Sequence, residues 1–305
     1  MYMSTFFRSL SAFSSVALIV SAKRVVLSND DGWAVAMIRA QYEALTEDHD
    51  VILSCPAINL SGTGSLSFPP VRTLYPCEFN TCPIFSPAEG FNVSDPYINY
   101  VNGFPVDAVR YGMKTLAPKF FEGSAPDFVV SGPNVGNNLA FLKTSGTVGA
   151  ACEASLQGIP SVAISGSGDS LSQVSYTTLE SEPFSRNTMA SRIYAALTVK
   201  FLNILLSYAD PILPPGISLN VNYPSIKGCY SVSSFNFILS RVTPDASAVD
   251  VETCRKRSLP AEADVVAKHG CFVSVSVFNA STKADVDAST QKVVLDKLAG
   301  LLTCL

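Results

Sequence analysis

Short runs of β-branched and other apolar residues alternate along this chain with stretches whose apolar positions recur at helical spacing. Arg24-Val25-Val26-Leu27-Ser28 is the first run and predicts a strand. Apolar positions 35, 38, 42 and 45 then predict a helix over residues 35–45. Val51-Ile52-Leu53 and Phe128-Val129-Val130-Ser131 predict two more strands. An alanine-rich helix is expected over residues 147–156, stopped by Gly158-Ile159-Pro160. Val162-Ala163-Ile164 reads as a strand, residues 189–207 as a long helix, and Ile217-Ser218-Leu219-Asn220-Val221 as a strand again. Near the end, Val273-Ser274-Val275-Ser276-Val277 alternates strictly, the pattern of a half-exposed strand. Strands alternating with helices argue for a mostly parallel sheet flanked by helices.

Two stretches break the pattern. Residues 65–99 are rich in Pro, Phe, Tyr and Asn and read as an extended loop. Residues 166–186 are rich in Ser, Thr and Gly. Long loops in compact α/β domains commonly serve as lids or specificity elements. The 65–99 loop is the candidate for specificity.

Composition supports one large α/β domain. The chain has 305 residues, 48% of them hydrophobic and 15% charged, so a substantial core is available. Net charge is −4 and no basic stripe is present, which argues against duplex nucleic acid as the partner. Arg8 is the only charge before Lys23, an apolar stretch covers residues 10–20, and Val20-Ser21-Ala22 fits a small-x-small cleavage site. Residues 1–22 are therefore expected to be a signal peptide rather than a membrane anchor. A domain over residues 23–305 would remain, secreted and without stable membrane association. All eight cysteines fall after that point, and an even count in an oxidising compartment points to disulfides. Cys77 and Cys82 are close enough to staple one loop. The other six leave their pairing open. Sequons at Asn59, Asn92 and Asn279 fit a secreted glycoprotein.

The chemistry gathers at strand ends. Asn29-Asp30-Asp31-Gly32 follows the first strand. Two adjacent carboxylates there are costly unless something balances their charge, and a divalent metal is the simplest balance. Ligands in open α/β sheets collect at the carboxyl ends of strands. The next strands lead into Asn59-Leu60-Ser61-Gly62, Ser131-Gly132-Pro133-Asn134, and Asn220 and Asn222. An all-oxygen set of this kind suits Mg²⁺, Mn²⁺ or Ca²⁺ rather than zinc or copper. Ser145, Gly146 and Thr147 open the alanine-rich helix, where free N–H groups and hydroxyls can bind an anion such as phosphate. The plain alternative for Ser145 is a helix cap.

These segments, in this order, resemble the SurE-like phosphatases and nucleotidases. Gly103-Phe104-Pro105-Val106-Asp107-Ala108-Val109 is similar to that family's Gly-Thr-Pro-Ala-Asp segment. Leu219-Asn220-Val221-Asn222-Tyr223-Pro224 is similar to its Leu-Asn-Val-Asn-x-Pro, and Gly270-Cys271-Phe272-Val273-Ser274 to its late Gly-Tyr-Val-Ser strand. The likeness runs from about residue 23 to 278. It implies a three-layer α/β/α Rossmann-like sandwich with a C-terminal strand extension. It also implies a metal-dependent phosphomonoesterase acting on nucleoside monophosphates or other phosphate monoesters, acid phosphatases included. By motif position the metal ligands are Asp30, Asp31, Ser61 and Asn134, with Asp30 and Asp31 catalytic and Mg²⁺ or Mn²⁺ the ion. A homodimer or higher oligomer is implied as well. The chain departs from bacterial members at Ile58 and around Val35, which bears on nucleotide specificity.

Two other readings compete. Gly168-Asp169-Ser170-Leu171 spells a GDSL motif, so a serine esterase using Ser170 is the first. The motif stands mid-chain, however, and no GxSxG elbow exists. A secreted binding protein that kept the fold is the second, against which Asp30, Asp31, Ser61 and Asn134 are all present. The chain has two histidines, too few for a histidine-rich dimetal site. His49 is expected to be solvated at a helix end, and His269 to lie in a turn.

Overall fold

The computed structural model describes residues 22–305 apart from Ser170 and Ala209. The expected signal peptide falls outside the described residues but for Ala22, and so does the candidate esterase serine, Ser170. The chain runs from β1 (Arg24–Ser28) through α1 (Ala36–Leu45) to β2 (Asp50–Pro56). A long excursion ends in the hairpin β3 (Glu89–Asn92) and β4 (Asp95–Val101). There follow α2 (Pro105–Tyr111), α3 (Ala117–Phe120), β5 (Phe128–Val135), α4 (Gly146–Leu156), β6 (Ser161–Gly166), α5 (Thr178–Ser181), α6 (Arg186–Leu205) and β7 (Ile217–Tyr223). The C-terminal part contributes β8 (Asn236–Ser240), α7 (Glu262–Ala267), β9 (Phe272–Asn279) and α8 (Ala288–Lys297). Among the described residues no helix is long and apolar enough to cross a membrane.

Nine strands form one sheet in the order β3-β4-β2-β1-β5-β6-β7-β9-β8. The run from β4 to β7 is parallel, while β3 and β9 join it antiparallel. The mostly parallel sheet expected from the alternation is therefore present, with helices on both faces. Strand periodicity explains the layering, because successive side chains point to opposite faces. Val25 and Leu27 of β1 enter the main core, which α1 and α6 cover. Val26 between them enters a smaller core with Val109, Met113, Ala150 and Ala154 on the other face. Each such side chain contributes about 1.5–3 kcal/mol by leaving water, so a charge at Val26 would break the α2–α4 layer.

Three expectations need correction. The Val273–Val277 segment is not half-exposed: it lies inside β9 and is buried on both faces. Its valines share the main core with Val294 of α8 and Leu298 just after it, α7 packs against the same strand, and Ser276 pairs laterally with Ser240 at 2.8 Å between hydroxyls. Alternating Ser and Val therefore disguised a buried strand: Ser276 finds a hydroxyl neighbour, and Ser274 Oγ is buried without one. Residues 65–99 are not one extended loop either, because their last part forms the β3–β4 hairpin on the edge of the sheet. The turn residues Ser94, Asp95 and Pro96 masked it. His49 is buried rather than solvated. Its Nδ1 accepts the Lys23 N–H at 3.4 Å, and burial lowers its pKa.

The Cys77–Cys82 staple is formed as expected. Cys229 pairs with Cys271, tying the segment after β7 to the start of β9, and Cys254 pairs with Cys304, anchoring the C-terminal tail. Cys55 and Cys152 are buried free thiols.

Candidate functional site

From β1 the chain moves outward to β2 on one side and later returns to β5 on the other. The carboxyl ends of β1 and β5 therefore flank the point where the strand order reverses, the crevice in which α/β sheets place ligands. Asn29-Asp30-Asp31-Gly32 fills it. Asn29 closes this turn on itself: its Nδ2 donates to the Gly32 carbonyl at 3.0 Å, and its Oδ1 accepts the Gly32 N–H at 3.2 Å.

Each acid is held by a different element. Asp30 Oδ1 accepts the Thr147 hydroxyl at 2.6 Å, which brings it to the N-terminus of α4. A Cβ on Gly146 would stand 2.8 Å from Asp30 Cβ, so only glycine allows this approach. The Asp30 carbonyl accepts the Leu60 N–H at 2.8 Å, fixing the segment that carries Ser61. Asp31 Oδ2 accepts the Val135 N–H at 2.8 Å. Asp31 Oδ1 accepts the Ser61 hydroxyl at 3.3 Å and a bond from Gln173 Nε2. Asn134 sits beyond a bulge in β5, which shifts its pairing to Ser165. Its Nδ2 donates to the Gly136 carbonyl at 2.6 Å, while its Oδ1 is buried without a partner. Asp30, Asp31, Ser61 and Asn134 are thus gathered at one rim, from segments far apart in sequence.

The electrostatics are unbalanced. Burial pushes the Asp30 pKa up, against the amides and hydroxyl of the α4 N-terminus, which favour its ionised form. Burial, then the charge of Asp30, pushes Asp31 up to about 8. Among the described residues neither acid forms an ion pair with Lys, Arg or His. Two buried carboxylates, a hydroxyl and an orphaned amide oxygen form a hard-oxygen set without balancing positive charge, and a divalent cation fits it. The described residues contain no cluster of three or more His, Cys, Asp or Glu able to hold a metal ion, so hydroxyl and amide oxygens must complete any such site.

Ser145, Gly146 and Thr147 lie beside this set and are buried. Ser145 Oγ accepts the Val148 N–H at 3.1 Å and so caps α4. Asn220 and Asn222 do not reach the acids. They hold the segment between β5 and α4, where Asn138 N–H donates to Asn222 Oδ1 at 2.9 Å. His269 is exposed, as expected of a turn residue.

Two residues at the rim escaped the sequence reading. Gln173 bonds Asp31 and also accepts from Asn59 Nδ2 at 2.6 Å, bridging the 166–186 loop to the Asn59–Ser61 turn. The Ser/Gly-rich composition of that loop was its only signal. Glu78, next to the Cys77–Cys82 disulfide, presses Oε2 against Gly32 where any larger residue would clash. Burial pushes Glu78 up to about 7, and this oxygen has no partner.

Fold and rim together define a Rossmann-like α/β protein with an acidic site at its switch point. A family model described as Survival protein SurE matches residues 25–242. The chain is 32% identical over 290 residues to the acid phosphatase of Yarrowia lipolytica, an alignment spanning 84% of this chain and 79% of that protein. It is 32% identical over 206 residues to the 5'-nucleotidase SurE of Archaeoglobus fulgidus, spanning 66% of this chain and 67% of that one. The crystal structure of the SurE protein from Aquifex aeolicus superposes with a TM-score of 0.58 at 23% identity, covering 89% of this chain and 98% of that one. That likeness shows a shared fold. The chain belongs to the SurE family.

Proposed function

We propose that the protein is a phosphate monoester hydrolase that works with a divalent ion, Mg²⁺ or Mn²⁺, held by Asp30, Asp31, Ser61 and Asn134. The observation that carries this reading is the buried Asp30–Asp31 pair beside the orphaned Asn134 Oδ1, with no ion pair to a cationic side chain among the described residues. Relatives named acid phosphatase and 5'-nucleotidase support the reaction class. Nucleoside monophosphates and other phosphate monoesters are the substrate classes. Three disulfides, the leader-like first residues and the sequons support a secreted, glycosylated protein; a homodimer or larger assembly is part of the same proposal.

The bound ion would set positive charge against the phosphate oxygens as charge builds in the transition state. The chain supplies the rest. Thr147 fixes Asp30 through Oδ1, and Asp30 is the acid we assign to orient the attacking water. Asp31 is held in place by the Val135 N–H and by Ser61. Ser145, Gly146 and Thr147 open the 11-residue helix α4, whose N-terminal dipole favours the remaining phosphate oxygens. Ser145 Oγ uses a lone pair on Val148, so its own hydrogen is left to donate outward.

One assay tests the reading: p-nitrophenyl phosphate against p-nitrophenyl acetate, each with and without EDTA. Phosphatase turnover abolished by EDTA and restored by Mg²⁺ or Mn²⁺ is expected. Acetate cleavage that ignores EDTA and disappears in Ser170→Ala would sink it in favour of the esterase.

A further inference from the structure

Residues 136–145 form a strap that joins the end of β5, just past Asn134, to the cap of α4 at Ser145. Three of its anchors lie in its first half. Gly136 N–H donates to the Gly166 carbonyl at 3.0 Å, next to the ligand end. Asn138 is clasped by Asn222, by Ser165 Oγ at 2.7 Å, and by Asn220 Nδ2, which donates to its carbonyl at 3.1 Å. Furthest along that half, Ala140 N–H donates to Glu262 Oε1 at 2.7 Å across 122 residues of sequence. Glu262 Oε2 accepts from Asn220 Nδ2 at 2.8 Å, so one side chain ties both inner anchors together.

This arrangement is costly and therefore informative. Glu262 has no exposed surface, and a buried carboxylate is retained only where hydrogen bonds repay its lost hydration. Ala140 holds φ at 58°, a left-handed conformation that a residue with a Cβ adopts only under tertiary constraint. Phe141, the next residue, has an exposed side chain, while its carbonyl accepts the Ser145 N–H at 3.2 Å; beyond it Leu142 is buried and the Gly64 N–H donates to the Thr144 carbonyl at 2.9 Å. Glu262 itself is fixed by its N–H, which donates to the Arg241 carbonyl at 2.7 Å. The Arg241 guanidinium is taken up by Asp250 and Asp285.

We propose that Glu262 is a positioning residue for phosphate recognition: through Ala140 and Asn220 it sets the strap that places Ser145, Gly146 and Thr147 beside Asp30. The inference rests on the phosphatase reading for the ligand, while the mechanical part of it does not. The relevant property is the reach of the side chain more than its charge. Gln keeps that reach and the bond from Ala140 but turns an NH2 toward Asn220 Nδ2, Asp keeps the charge but falls short of Ala140, and Ala removes both.

The test compares Glu262→Gln, Glu262→Asp and Glu262→Ala by three measurements. These are inhibition by inorganic phosphate, Mn²⁺ affinity by calorimetry, and amide hydrogen exchange over residues 138–142. Glu262→Asp and Glu262→Ala should weaken phosphate inhibition and raise KM by about tenfold, the scale of a lost charge-assisted hydrogen bond. Their Mn²⁺ affinity should stay within about twofold, because Asn134 is anchored separately through Gly136. Exchange over residues 138–142 should rise, and Glu262→Gln, which keeps the Ala140 bond and loses the one from Asn220, should fall between wild type and Glu262→Asp in both effects. If Glu262→Ala does not fold, Glu262→Asp carries the comparison. Unchanged exchange and phosphate affinity in Glu262→Asp would overturn the proposal. A wild-type protein that neither binds phosphate nor turns over phosphate esters, yet shows the same exchange pattern, overturns the phosphatase reading and leaves the latch standing.

Discussion

The affinity of the site for a divalent ion should fall about tenfold for each pH unit below 8. Burial raises both acids, and the charge of Asp30 lifts Asp31 further, to about 8, so that without metal the Asp30–Asp31 pair holds a proton below about pH 8. A divalent ion needs both carboxylates ionised and must expel that proton. Between pH 8 and pH 6 the expulsion costs about 2.7 kcal/mol at 1.36 kcal/mol per unit, or about 100-fold in Kd. The sign for stability follows from the same raised pKa. The metal-free native state binds more protons than the unfolded chain between pH 4 and 8, roughly, so its stability falls as pH rises through that window. Titration calorimetry with Mn²⁺ in buffers of different ionisation enthalpy reads both quantities. About one proton should be released per ion at pH 6 and far fewer at pH 9. Asp31→Asn should weaken binding and flatten the slope. A Kd constant from pH 6 to pH 8 with no proton released would refute the idea that the pair is an uncompensated anionic site.

Three further outcomes are expected. Asp30→Asn should lower kcat/KM by about a thousandfold or more while circular dichroism stays native, since a ligand charge and the water-orienting group go together; near-normal turnover would contradict the site assignment. Asn59 should carry no glycan, because its Nδ2 is spent on Gln173 and a sugar there would crowd Ser61; full occupancy by mass spectrometry would count against Ser61 as a ligand. Burial raises Glu262 from 4.5 to about 7, so native protein holds a proton there that the unfolded chain loses, and stability should drop by up to about 3 kcal/mol as pH rises across that interval. Urea melts of Glu262→Gln should lack this component; identical pH slopes in the two proteins would show that the acid is not buried in solution.

Much of this molecule was written in local pattern. Apolar runs of the right length made β1, β5, β6 and β7 legible, because strand formation there depends on near neighbours and on burial of both faces. The Asp-Asp pair stood out because two adjacent charges after a buried strand must be accounted for. Cys77 and Cys82 were readable as a staple because a separation of 5 leaves them little choice. The partners that decide what the site can do were not readable. Gln173 reaches Asp31 across 142 residues, and Ala140 reaches Glu262 across 122. Neither contact follows from spacing, since both depend on which strands lie next to each other and on the path each loop takes over the sheet rim. β9 shows the same limit in the core: its Ser-Val alternation describes a half-wet strand, and only its place between β7 and β8, under α7 and α8, makes it a buried one. The sequence by itself determined the fold class and the acidic half of the site, because short-range sterics and hydrophobic periodicity act along the chain. Tertiary structure alone decided which oxygens lack a partner, how far each acid is pushed, and which distant side chains hold the rim in place, because burial and proximity are properties of the packed sheet.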